Sequence, residues 1–239
     1  MSKAMLLHRA DGAPLRTEFR RAAFGTNDPF AAERDIAWQG AGGMSAGRVH
    51  LTGDREVDGF PHIETISVVE GRLTLISPGA ETLTLEPRQA AVIGRGTQLL
   101  FRAGAGATFV FCSVPGDASS LPGLTPLKAE ADFKPSSPPP AETLLGPVPD
   151  CRSDNVFTDS ATGYRAGTWD STPYRRIIRA HRVNELMHLL DGNGRFEAPD
   201  GSALTAGAGD VLFVPKGAEI GWESPNRVAK FYVVQDVVD

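Results

Sequence analysis

The sequence predicts an all-β protein made of two tandem antiparallel β-barrels joined by a Pro-rich linker. Three observations lead there. Short apolar or alternating segments recur along most of the chain, a Pro-dense stretch interrupts them near the middle, and the flanking halves repeat one another at a fixed distance.

The strand-like segments are His62 to Glu70, Gln89 to Ile93 and Thr108 to Val114 on one side, and Glu185 to Leu190, Val211 to Val214 and Lys230 to Val234 on the other. Gly, Pro and Asp punctuate them, as turn residues do between strands. Glu64, Gly71 and Gly94 recur as Glu185, Gly192 and Pro215, each 121 positions later. At the same offset Gly96 falls on Gly217, Phe101 on Trp222, and the strand around Phe109 to Phe111 on Lys230 to Tyr232; an offset one residue shorter aligns Gly43 and Gly47 with Gly163 and Gly167. A duplicated unit of about 120 residues with short, regularly spaced strands suits a small closed or double-sheet jelly-roll barrel, which hides strand edges and buries one face of each strand.

Taken in order, residues 1–35 form an N-terminal arm, in which Glu18 to Ala23 and Ala31 to Asp35 suit either short helical turns or an extension packed on a neighbouring barrel. Residues 36–114 form the first barrel. Residues 115–150 are the linker, where Pro138, Pro139 and Pro140 lack the N–H donors a regular ladder needs. Residues 151–239 form the second barrel, whose apolar end, Val233 to Asp239, suits sheet pairing in a homodimer or packing in an internal pseudo-dimer.

Composition narrows the function classes. Of the 239 residues 41% are hydrophobic and 22% charged, enough apolar material for a core. A net charge of -5 and the lack of a basic run argue against nucleic acid or an anionic membrane as a partner. No secretory signal and no 18-residue apolar segment is apparent, so the default location is the cytosol. Cys112 and Cys151 flank the linker and make neither a disulfide framework nor a CxxC site. Phosphate-cradling GxxxxGK[ST], dinucleotide GxGxxG and hydrolase GxSxG patterns are absent.

In the second half, Glu185 followed by Gly192, then Gly209, Asp210 and Pro215, resembles the two sequence motifs of the cupins. The segments Gly167-Thr-Trp, Asn184 to Gly192, Gly209 to Gly217 and Trp222-Glu look more specifically like the cupins related to ureidoglycine aminohydrolase and the ethanolamine-utilisation cupins. The first half is more divergent: Gly94 stands for the motif proline and Arg88 for the motif glycine, which makes that barrel a scaffold rather than a reaction vessel.

The resemblance implies a divalent metal held by three His and one Glu, but that set is incomplete. With Glu185 as the motif glutamate, His181 takes the second histidine place, while Arg179 and Ile220 stand where the other two would be. In the aminohydrolase pattern only His181 carries over. A fixed positive charge on Arg179 repels a cation yet forks to a carboxylate or phosphate, so the site suits an organic anion better than a metal. A buried Arg179–Glu185 ion pair left from a lost site, an anion pocket, and a metal centre on His181 and Glu185 are the open alternatives. In the first barrel, His62 and Glu64 share a strand face and His50 comes from an earlier strand, so a metal cluster of these three is conceivable, though Leu99 and Phe60 replace two motif ligands.

The leading expectation is therefore binding, with or without conversion, of a small polar or anionic ligand, such as a carboxylate, in the second barrel. Arg179 is the anion clamp, His181 the general acid or base, Glu185 the group orienting it, and Trp222, Trp169, Phe213 and Met187 the apolar walls. His188 faces away. The rivals are a metal-dependent hydrolase and a non-catalytic effector-binding protein.

Overall fold

The computed structural model describes residues 3–40, 42–115 and 120–236. The chain divides into two compact units: Thr17–Leu127 with Ser160–Thr162, and Met1–Arg16 with Lys128–Asp159 and Gly163–Asp239. Each contains one seven-stranded and one four-stranded antiparallel sheet.

In the unit of the first barrel the larger sheet runs Leu124–Leu127, Ala90–Ile93, Ile63–Gly71, Ala107–Val114, Ser45–Leu51, Arg34–Gln39 and Arg20–Arg21. In the other unit it runs Met5–His8, Val211–Val214, Asn184–Asp191, Val228–Gln235, Tyr164–Ser171, Cys151–Asp159 and Lys134–Ser136. The five inner strands correspond one to one, which is the duplication expressed in three dimensions. The smaller sheets, Asp54–Val57, Leu99–Arg102, Leu73–Ile76 and Leu83–Leu85, and Tyr174–Ala180, Glu219–Ser224, Asn193–Glu197 and Ala203–Gly207, follow one order as well.

The arm and the Pro-rich stretch both do more than was expected of them. Met5–His8 closes one edge of the second barrel by pairing with Val211–Val214, and Arg20–Arg21 pairs with Arg34–Gln39 in the first. Glu18 to Ala23 and Ala31 to Asp35 form no helix. Leu124–Leu127 and Lys134–Ser136 are edge strands, one on each barrel, and Pro126 and Pro135 lie within them. An edge strand tolerates proline because half of its N–H groups have no ladder partner to lose. Of the apolar terminal stretch, residues 237–239 lie outside the described residues. Among the described residues no helix is long and apolar enough to cross a membrane.

Backbone geometry explains two features of the repeat. A Cβ on Gly47 would lie 2.1 Å from the Asp35 carbonyl oxygen, and one on Gly167 would lie 2.1 Å from that of Asp154. Both glycines sit opposite bulged strands, where the neighbouring backbone comes too close for any side chain. Gly209 has φ +91°, and its counterpart Arg88 holds φ 72°, the one non-glycine among the described residues in the left-handed region. Replacing exposed Arg88 by glycine is expected to raise stability by about 1 kcal/mol through relief of that conformation, read from the urea midpoint.

Phenylalanines dominate the hydrophobic core of the first barrel, beside a buried polar cluster around Glu64. Phe30 packs its ring against Phe101 at 5.0 Å and Phe109 at 5.4 Å between centroids, and Phe60, Phe111, Leu99 and Ile66 complete the fully buried cluster. The core of the second barrel gathers Met187, Leu189, Phe196, Leu212, Val214, Ile220 and Trp222. Where the first has Phe60 and Phe109, the second has His181 and Lys230 at the repeat offset of 121. This exchange opens the second barrel to polar chemistry.

Candidate functional site

Glu185 lies on Asn184–Asp191, in the middle of the larger sheet, between Val211–Val214 and Val228–Gln235. Alternation aims Glu185, Met187 and Leu189 inward together with Lys230 and Trp169, which pair across neighbouring strands. Lys230 Nζ donates to Glu185 Oε1 at 2.8 Å, and His181 Nε2 lies 3.0 Å from Glu185 Oε2. The ammonium also sits over the rings of Trp169 at 4.8 Å and Trp222 at 5.6 Å, a cation–π arrangement that keeps it in place within an apolar wall. Burial alone pushes the Glu185 carboxyl up; the adjacent Lys230 charge and the His181 hydrogen bond outweigh it and hold the carboxyl down at about 2.

Arg179 pairs with inward-facing Ile220. His181 lies beyond the end of that strand, its amide bonded to the Ala218 carbonyl two positions along the same partner. A register irregularity between Arg176 and Arg179 places Ile177 and Ile178 in a bulge, so Arg176, opposite Trp222, shares the inward face with Arg179. Arg176 Nη1 donates to the Ile220 carbonyl at 2.9 Å. Desolvation and, for Arg176, the nearby Arg179 charge lower both guanidinium pKa values. Neither has a carboxylate partner among the described residues. Arg179 Nε and His181 Nδ1 are buried and make no hydrogen bond. Tyr174 stacks on Trp222 at 5.6 Å, and a cavity of about 270 Å³ lined by Arg175, Arg176, Glu197, Trp222 and Glu223, among others, reaches Arg176 but not Arg179.

The expected site residues thus meet only in part. His181, Glu185, Trp169, Trp222 and Met187 converge, with Arg179 at the same end of the barrel as His181. The Arg179–Glu185 ion pair, one of the open alternatives, does not form; Lys230 holds Glu185 Oε1 at 2.8 Å. Phe213 is not a wall of this pocket: it pairs with Leu186 and Met5, which puts it on the opposite face of the sheet from Leu212 and Val214. His188 is buried on that opposite face, 6.2 Å from the Phe231 ring. Lys230, Arg176 and Tyr174 were missed. A lone lysine in the apolar strand Val228–Gln235, where the repeat has Phe109, was a legible signal; Arg176 was not, because simple alternation from Arg179 puts it on the outer face.

The first barrel holds a related arrangement built from other positions. His62 Nε2 lies 3.0 Å from Glu64 Oε2, and the fully buried Arg34 reaches the same oxygen at 2.8 Å while forking onto Asp28 at 2.7 and 2.9 Å. Phe111 covers the guanidinium at 4.1 Å. Burial raises the Glu64 carboxyl, but Arg34, His62 and Ser113 hold it down at about 2. His50 does not join: its strand turns it outward to an exposed hydrogen bond with Thr108 Oγ1.

Neither centre fits a divalent metal. Among the described residues no group of three or more His, Cys, Asp or Glu side chains is placed to hold one. Each glutamate already meets a cationic side chain at 2.8 Å, and a second, divalent charge at that spot meets repulsion without the third ligand a fixed ion needs.

Two barrels of this topology, each with a glutamate on the same inner strand, define a cupin. A family model described as the EutQ-like cupin domain matches residues 160–232. A crystal structure of a protein of unknown function from Pseudomonas syringae pv. tomato, in the family DUF861, is 39% identical, with a TM-score of 0.94 over 98% of this chain and 100% of that one; the chain belongs to this family of cupins. The fold is shared more distantly with a glyoxylate-induced protein from Pseudomonas aeruginosa, described there as putative (17% identity, TM-score 0.55, 98% of this chain and 96% of that one). It is also shared with a conserved-barrel cupin from Leptotrichia buccalis (10% identity, TM-score 0.58, 84% and 86%). No curated protein matches by sequence.

Two expectations follow. Lys230→Met strands Glu185 in the core with only His181, and is expected to cost about 3–5 kcal/mol in denaturant unfolding. Because Glu64 and Glu185 have folded pKa values depressed to about 2, their contribution to stability is present above the unfolded carboxylate value of about 4.3 and is lost as pH falls toward about 2. Urea midpoints measured across that window are expected to drop steeply, and less so in Glu185→Gln.

Proposed function

We propose that the second barrel binds a small organic anion, a carboxylate of few carbons, through Arg176 and Arg179. The observation that carries this is charge: Lys230 holds Glu185, while Arg176 and Arg179 lie near each other with no salt-bridged carboxylate among the described residues, and Glu185 and Tyr174 only partly offset Arg176. A guanidinium without a partner in such a place is stabilised by an anion that supplies the missing acceptors. Trp169 and Tyr174 both pack against Trp222, which lies opposite Arg176, and give the site an aromatic side.

This reading also bears on the resemblance to ureidoglycine aminohydrolase. His181 is the one residue that carries over, and the Lys230 ammonium against Glu185 works against a metal-dependent hydrolase. A non-catalytic effector pocket and a catalytic one share the same anion clamp, and binding alone does not divide them.

Isothermal titration with acetate, pyruvate, lactate and oxalate, against acetamide as a neutral control, tests the proposal. At least one carboxylate is expected to bind and acetamide not. Arg176→Met and Arg179→Met, each losing a charged hydrogen-bonding group, are expected to weaken binding by roughly tenfold or more. Binding of none, or binding unchanged in both variants, overturns the proposal.

A further inference from the structure

We infer that His181 Nδ1 is a general base and that the second barrel catalyses proton transfer at the carbon next to the carbonyl of a short 2-oxo acid; this rests on the anion clamp proposed above. The tautomer follows from the hydrogen bonds. Glu185 is ionised and accepts only, so His181 Nε2 carries the hydrogen it donates across 3.0 Å, and in the neutral imidazole the lone pair is on Nδ1. That nitrogen is buried, has no hydrogen-bond partner, and belongs to a side chain only 10% exposed. The second oxygen of Glu185 is held by Lys230, so the carboxylate, and with it the ring, is fixed from both sides.

The other buried side-chain atom without a partner at this end of the barrel is Arg179 Nε, a donor. Arg179 and His181 lie opposite Ile220 and Ala218, two positions apart, which puts a bare acceptor and a bare donor on the same side of the sheet. The complementary ligand has an acidic group and, next to it, a hydrogen that can leave as a proton. Two guanidiniums, brought to one face by the Ile177–Ile178 bulge, match one permanent negative charge and one that develops. A 2-oxo acid supplies both. His181 Nδ1 takes a hydrogen from the carbon adjoining the ketone, the C–H electron pair becomes the C=C bond, and the carbonyl oxygen becomes an enolate facing the arginines. Return of the proton from His181 completes the exchange, and no oxidant or other co-reactant is consumed.

Pyruvate in deuterium oxide, followed by proton NMR, tests this directly. The methyl signal is expected to disappear at least ten times faster with the protein than in buffer. His181→Asn is expected to abolish the acceleration while still binding pyruvate in the titration, and oxalate, a planar dianion shaped like the enolate with no hydrogen to give, is expected to suppress exchange. Pyruvate that binds the native protein but exchanges no faster than in buffer, or as fast with His181→Asn, overturns proton transfer and leaves the anion-binding reading standing. Absence of carboxylate binding altogether overturns both. If His181→Asn does not fold, the comparison of native protein with buffer, with and without oxalate, still decides.

Discussion

A carboxylate buried at the same strand position in each barrel is the constraint from which much of the polar architecture follows. Glu64 and Glu185 each sit on the third strand of a seven-stranded sheet, away from bulk water, where an isolated ionised carboxyl is strongly disfavoured. Each barrel therefore delivers a cation and a histidine to it. The sources differ. Arg34 comes from the penultimate strand at one side of the first sheet, whereas Lys230 comes from the strand next to Glu185; His62 is two residues before its glutamate and His181 four. Two solutions to the same electrostatic problem, built from unrelated positions, show that the requirement is compensation of the charge and not a particular side chain.

What surrounds the compensated carboxylate then separates the barrels. In the first, Phe30, Phe60, Phe101, Phe109 and Phe111 fill the interior, and Arg34 spends its guanidinium on Asp28 and Glu64. Its Nε and Nη2 fork onto Asp28 and its Nη1 faces Glu64 at 2.8 Å. In the second, Lys230 alone neutralises Glu185, and two further arginines reach the same end of the barrel with no carboxylate to meet. The contrast is one of composition: the first copy surrounds its glutamate with phenylalanines, and the second carries polar side chains at the positions of Phe60 and Phe109.

Much of this was legible in the residues. The repeat of Glu64, Gly71 and Gly94 in Glu185, Gly192 and Pro215 located both barrels and the central glutamates, and the parity of His181 with Glu185 predicted a contact that forms. The bulge at Ile177–Ile178 was not legible, since nothing local marks where an antiparallel strand gains a residue, and it hid Arg176. Phe213 was misplaced for the complementary reason: it is buried on the other face of its strand, and hydrophobicity does not say which face is the inside.

The sequence by itself determined the duplication, the all-β character and the identity of the charged residues available for a site, because repeat spacing and strand alternation are one-dimensional properties. Which cation meets which carboxylate was decided only by the tertiary structure. Arg179, six residues from Glu185, makes no ion pair with it, whereas Lys230 from 45 residues away does, because its strand lies directly alongside and its ammonium reaches the carboxylate at 2.8 Å. That pairing leaves Arg179 without a carboxylate partner among the described residues.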